Sequence, residues 1–176
     1  MRTAIFLLLG ALALTNTGCA GLIMSVSDRN GSNESVRLQP GESVGVPTPT
    51  VSPEIAKGLA QAGLTESQFA GKIQDELVRQ LKDRGVAAHA GPDGSTLKIH
   101  ITRFTDGSGA ARFLLSGSGI GDSKLDGSAI LSTPSGRREL EIVKTGSKSG
   151  AVASGSQTEE NIGYFATALA SKIVGS

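Results

Sequence analysis

Residues Leu64–Gly85, "LTESQFAGKIQDELVRQLKDRG", constrain the fold more tightly than any other part of this chain. Thr65 stands at an N-cap position, Gln68 three residues on completes a capping box, and Leu64 and Phe69 flank it as a hydrophobic staple. A helix therefore starts at Glu66. Phe69, Ile73, Leu77 and Leu81, with Ala70 and Val78 beside them, recur at helical spacing and make one apolar stripe. Gly85 supplies a left-handed C-terminal cap, and Lys82 and Arg84 favour the negative end of the last turn. The other side carries Lys72, Gln74, Asp75, Glu76, Arg79 and Gln80 and reads as solvated. A helix with a single apolar stripe needs a second apolar layer to lie on.

That layer is predicted to be a sheet. In "TLKIHITRF", from Thr96, Leu97, Ile99 and Ile101 point one way and Lys98, His100 and Thr102 the other. "VAAHA", from Val86, precedes it across the turn "GPDG". "KLDGSAILST" (Lys124–Thr133) and "RRELEIVKT" (Arg137–Thr145), joined through "PSG", predict a hairpin in which Leu140 and Ile142 share a face and Glu139 and Glu141 favour solvent. "GSKSGAVASGS" then reads as a Gly/Ser loop. A last helix, capped by Ser156 with Glu159 three residues on, buries Ile162, Phe165, Leu169 and Ile173. "SPEIAKGLAQAG" predicts a shorter helix with Pro53 in its first turn and Gly63 after its end. The expected architecture is α+β: a mainly antiparallel sheet of about four to five strands with two helices packed on one face and the other face open to water or a partner.

The N-terminal region follows other rules. Arg2 precedes "AIFLLLGALAL", Ala4–Leu14, an apolar run well short of the ~20 residues of a membrane-spanning helix and suited to the core of an export signal. "TNTGCAG" then leads to Cys19, the only cysteine, so no intramolecular disulfide is possible. This pattern resembles a bacterial lipoprotein signal, in which a peptidase cuts before a cysteine that carries diacylglycerol and a third acyl chain. Thr17 and Gly18 match it, and Asn16 stands where an aliphatic residue is usual. The resemblance implies a signal peptide over 1–18, lipidation at Cys19, and, with Ala20 rather than Asp next, anchoring at the periplasmic face of the outer membrane of a Gram-negative bacterium. A secreted protein with a free thiol and an uncleaved signal anchor are the competing readings. Residues 19–53 then form a lipidated N-terminus and tether: "SDRNGSNES" has no apolar side chain, while "SVRLQ" or "SVGVP" alternates as a first strand would. Residues 54–176 form a single α+β domain.

Losing Arg2 with the leader leaves 16 basic and 16 acidic residues, so electrostatics gives no reason to expect nucleic acid as a partner. Aromatic residues make up only 3%, with no tryptophan, too few for a platform that stacks bases or sugars.

"GSGAARFLLSGSGIGDSK", Gly107–Lys124, is the longest connection within the expected sheet. It is not a phosphate-binding P-loop, because it holds no Gly-Lys pair. It is not a dinucleotide fingerprint either, because Arg112 and Asp122 occupy the third glycine positions of its two candidate matches. Three readings remain: a bent sheet connection with Ala111, Phe113 and Leu115 along one strand face, a surface loop that touches a membrane or a neighbouring subunit, and an anion nest beside Arg112 and Lys124. The candidate partner-binding residues are Arg112, Phe113, Leu114, Gly117, Gly119, Gly121 and Lys124.

From Ile101 to Ser176 the chain resembles the bacterial lipoproteins classed as domain of unknown function 4410. Phe104, Gly107, Ser108, Ala111, Arg112, Phe113, Leu114, Gly117, Gly119 and Gly121 match that family's strand, turn, Ala-Arg-aromatic-Leu block and alternate glycines; Ser118 replaces a frequent aromatic and Asp122 is additional. Leu64–Gly85 corresponds more loosely to the family's helix. The resemblance implies an architecture similar to the small α+β domains of envelope lipoproteins that join secretion and export machines. The family has no assigned chemistry.

Catalysis has little support. His89 and His100 sit in strand-like segments without metal-ligand spacing, and no serine lies in a nucleophile elbow. The acid pairs Asp75 with Glu76 and Glu139 with Glu141 are explained by a helix face and an exposed strand face. No catalytic residue, metal or cofactor is expected. The chain reads as a lipid-anchored, noncatalytic binding or assembly lipoprotein of the bacterial envelope or, alternatively, as an oligomeric subunit of an outer-membrane secretion or export complex. Its expected partners are the membrane, through the N-terminal lipid, and an envelope protein or further copies of itself.

Overall fold

The structure, a computed structural model, describes residues 24–29, 31–106, 123–144 and 158–175. The signal segment, Cys19, the cap Ser156 and the candidates Arg112, Phe113, Leu114, Gly117, Gly119 and Gly121 lie outside the described residues, whereas Lys124 lies within them. In chain order the elements are β1 (Met24–Asp28), β2 (Ser43–Val46), β3 (Thr50–Val51), a 3-10 turn (Pro53–Ile55), α1 (Ala56–Gln61), α2 (Glu66–Lys82), β4 (Ala87–Ala90), β5 (Thr96–Thr105), β6 (Lys124–Thr133), β7 (Gly136–Lys144) and α3 (Thr158–Ile173).

Helix α2 forms as its sequence demands. Gln68 N donates to Thr65 Oγ1 at 3.2 Å and Thr65 N donates to Gln68 Oε1 at 3.0 Å, which closes the capping box. Phe69, Ile73, Leu77 and Leu81 are buried, and Gly85 takes the positive φ of 81° that ends the helix. Helix α3 buries Ile162, Phe165, Leu169 and Ile173 beside it. The two helices run in the same direction: Lys72 pairs with Glu159 near their starts and Arg84 bonds Ser171 near their ends.

Both helices cover one face of the sheet. Leu97, Ile99 and Ile101 of β5, Leu125, Ala129 and Leu131 of β6, and Leu140 and Ile142 of β7 point into this core. Strict alternation would bring Arg103 inward next. A β-bulge between Ile101 and Arg103 instead turns Arg103 outward, 3.6 Å from Asp126, and delivers Phe104 to the core, where its ring meets Phe69 at a centroid distance of 4.6 Å.

The α+β class holds, but the expected sheet needs correction. Among the described residues it has seven strands in the order β1-β7-β6-β5-β2-β4, with β3 also paired to β5, and it is mixed rather than mainly antiparallel. The β5–β6 and β6–β7 pairs, and β1 on β7, are antiparallel; β2–β4, β2–β5 and β3–β5 are parallel. Tight turns announce antiparallel neighbours locally, whereas parallel strands joined across α1 and α2 leave no local signal. Met24–Asp28, in the stretch whose composition suggested a tether, is an edge strand of the sheet. Of the two alternating segments, "SVGVP" contains β2, while "SVRLQ" buries Val36 and Leu38 without joining a longer strand. Leu38 forms a bridge to Val174, accepting from Gly175 N and donating to Ile173 O, both at 2.8 Å.

Candidate functional site

Among the described residues, the helix layer leaves the other face of the sheet uncovered. Side chains directly across from one another there form rows: Lys98, Ile130 and Glu139 in one, and Thr50, His100, Ser128, Glu141 and Ser27 in the next. The face therefore grades from basic on β5 to acidic on β7, with an apolar side chain in the middle. The chain between β2 and β3 flanks β5 and leaves an open hollow of about 440 Å³, lined by Pro47, Thr48, Lys98, His100, Ser128 and Ile130 among others. Ile130 is the informative residue. Its neighbours Ala129 and Leu131 already fill the core, so Ile130 stands half-buried on the outward side of a central strand and lines the hollow.

His100 is positioned within this hollow. Its Nδ1 lies 2.9 Å from Thr50 Oγ1 and its Nε2 lies 3.2 Å from Ser52 Oγ. In the neutral ring one nitrogen donates and the other accepts, and a hydroxyl serves either role. Both nitrogens are thus engaged, which fixes the orientation of the ring. Among the described residues no ion pair engages Lys98, whose ammonium stands exposed beside the hollow. The arrangement suits binding of a surface with an apolar patch and a negative group. The Ser52 hydroxyl lies within hydrogen-bond reach of the imidazole, and the ring's other partner is the Thr50 hydroxyl rather than a carboxylate.

The other clusters are explained within the fold. Ser43, His89 and Asp93 come together, but Ser43 Oγ donates directly to Asp93 Oδ2 at 2.5 Å, while His89 Nε2 is 4.0 Å from the same oxygen. The carboxylate, not the imidazole, holds the hydroxyl, which is the wrong order for activating a serine. The Ser43 hydroxyl and the Gly94 amide hold the Asp93 carboxyl below its usual range. Glu76 is bonded to Arg79 and Gln80, and Glu139 pairs with Arg137, so neither acid pair converges on a reacting position. Among the described residues no group of His, Cys, Asp or Glu is arranged to hold a metal ion. Lys124 is exposed at the start of β6, where its N–H donates to Thr105 Oγ1 at 3.1 Å, away from the hollow.

From the sequence alone His100 is a strand residue without metal-ligand spacing, and no motif marks Lys98, Ser128 or Ile130 as part of a site. One signal was present. In "KLDGSAILST" the inward positions are Leu125, Gly127, Ala129 and Leu131, which leaves Ile130 as the apolar residue out of phase.

These features define a two-layer α+β domain, with helices on one side of a mixed sheet and a mainly polar face on the other. The chain belongs to the family described as domain of unknown function (DUF4410), whose model matches residues 29–174. No curated protein matches it. Two solved structures share the fold. A variant PelC dodecamer from Paraburkholderia phytofirmans matches with a TM-score of 0.54 at 16% identity, over 87% of this chain and 99% of that one. A second PelC dodecamer from the same organism matches with a TM-score of 0.50 at 12% identity, over 82% and 96%. At these identities the likeness is one of fold.

Proposed function

We propose that this protein is a lipid-anchored, noncatalytic assembly lipoprotein of the bacterial envelope, held to the periplasmic face of the outer membrane through Cys19. The observation that carries the reading is the uncovered sheet face, with Ile130, Lys98 and the oriented His100 around its hollow. A face of this kind is suited to a protein partner: apolar area supplies affinity and the charged flanks supply register. The leader supports the anchor, because its apolar run ends in small residues before the sole cysteine. Several acyl chains acting together give stable anchoring.

A second reading, a subunit of an oligomeric secretion or export complex, is favoured by the fold shared with the PelC dodecamers. The two readings meet in one experiment. The full-length chain is expressed with its leader in a Gram-negative host, its amino terminus is analysed by mass spectrometry, and its size is measured in mild detergent. The expected result is an acylated Cys19, with Cys19→Ser shifting the protein out of the membrane fraction. A discrete large oligomer selects the ring reading. A monomer that loses a recurrent envelope partner in Ile130→Glu selects the adaptor reading. A terminus bare of fatty acid overturns the anchor.

A further inference from the structure

One end of the sheet holds the start of β1, the end of β5, the start of β6 and the end of β7. Met24, the start of β1, stands opposite Lys144 at the end of β7, and Thr105, the end of β5, stands opposite Lys124 at the start of β6. Helix α3 starts at the same end. Thr158 Oγ1 donates to Asp106 Oδ1 at 2.5 Å, and Lys144 Nζ donates to Asn161 Oδ1 at 3.1 Å. The opposite end is formed by the β6–β7 hairpin, where Thr133 faces Gly136, and by the residues leading into β5. β5 and β6 have 10 residues each. At ~3.3 Å per residue the two ends are about 30 Å apart.

Cys19 precedes Met24 by only five positions. Even fully extended, such a connection reaches no more than ~17 Å. From a lipid surface it reaches the Met24 end of the sheet and falls well short of passing the domain to place the hairpin end there. We infer that the anchored domain is held with the end defined by Met24, Lys124 and Thr158 nearest the lipid surface and the β6–β7 hairpin end farther from it. The inference rests on acylation of Cys19 as proposed above, and it adds a fixed orientation to that anchor. It also places the hollow. Lys98 lies seven residues along β5 from Thr105, about 20 Å from the membrane end. The hollow is then set back from the anchoring end of the sheet.

The test uses the full-length acylated protein in phosphatidylethanolamine–phosphatidylglycerol vesicles whose head groups carry nitroxide quenchers. An environment-sensitive dye is attached in Lys124→Cys or in Ser135→Cys, both at exposed positions, one at each end. With unchanged thermal unfolding in both variants, the dye at 124 is expected to be quenched severalfold relative to quencher-free vesicles and the dye at 135 to be unaffected. An insert of about fifteen Gly and Ser residues between Cys19 and Met24, which extends the reach past ~30 Å, is expected to narrow that difference. Acylated protein in which the dye at 135 is quenched as strongly as at 124, or in which neither is quenched, overturns the orientation while leaving the anchor intact. Mass spectrometry that finds no acyl chain overturns the anchor and the orientation with it.

Discussion

Arg138 carries a full charge and yet is 0% exposed, on the core face of β7 between the sheet and α3. It is tolerated because its donors are met. Nε and Nη2 donate to the two carboxylate oxygens of Asp28 at 2.5 and 3.0 Å, and Nη1 donates to the carbonyls of Val36 and Lys172, each at 3.3 Å. Lys172 Nζ adds a second cation 3.0 Å from Asp28. A buried pair of this kind is costly to half-remove, because the survivor is left in a medium that solvates it poorly. Arg138→Met is therefore expected to destabilise the fold by about 3 kcal/mol in urea unfolding at neutral pH. The same network makes stability depend on acid. The hydrogen bond from Arg138, against the opposing effect of burial and with help from Lys172, lowers the Asp28 carboxyl from 3.8 to about 2. A depressed folded-state pKa contributes stability that is fully present above the unfolded value and is lost as pH falls through the folded one. Asp28 is thus expected to contribute about 2 kcal/mol above pH ~4 that disappears as pH drops toward ~2. Unfolding at a series of pH values checks this, and Asp28→Asn should flatten the dependence across that window.

At the scale of the element, what was legible in the sequence is what local chemistry determines. Thr65 and Gln68 announce the start of α2 because a cap is made by residues three apart, and Thr65→Ala is expected to cost about 1 kcal/mol in thermal or urea unfolding. The β6–β7 hairpin was legible for the same reason. The bulge in β5 was not, since Arg103 and Phe104 look equally placeable until the partner strand sets the register. Gly127 shows what that register requires. A Cβ there would come within 2.7 Å of the His100 carbonyl and 3.3 Å of the Ile101 side chain, so the close approach of β6 to β5 beside the bulge depends on a glycine. Gly127→Ala is expected to destabilise by about 1–3 kcal/mol, read from the urea midpoint. The candidate face was half legible in the same sense. Alternation alone turned Lys98 and His100 outward, but that Thr50 and Ser52 orient the ring depends on a parallel pairing between β3 and β5, far apart in sequence.

Across the whole molecule, the polar composition before Pro53 conceals how much of the fold is built there. Ser, Asn and Gly spacing reads as a tether because composition reports average solvation, yet the core needs only a few well-placed apolar side chains from this segment. Val36 and Leu38, both buried, and Val44 and Val46 of β2 supply them. β1 closes one edge of the sheet on β7 and brings Asp28 to Arg138, whereas β2 and β3 cover the free edge of β5. These contacts link residues far apart in sequence, so a chain lacking this segment loses them together rather than one at a time. A version beginning at Pro53 would bare the β7 and β5 edges, leave Arg138 without its carboxylate, and remove the backbone partner of Val174 near the end of the chain. Exposed edges of that length also pair with other chains. The expected outcome is loss of the cooperative thermal transition by circular dichroism, with aggregation at high concentration, while a version beginning at Met24 keeps the transition. A cooperative, monomeric melt from the Pro53 version would mean that the helices and the β5–β6–β7 strands are a domain on their own, and that the N-terminal strands only decorate it.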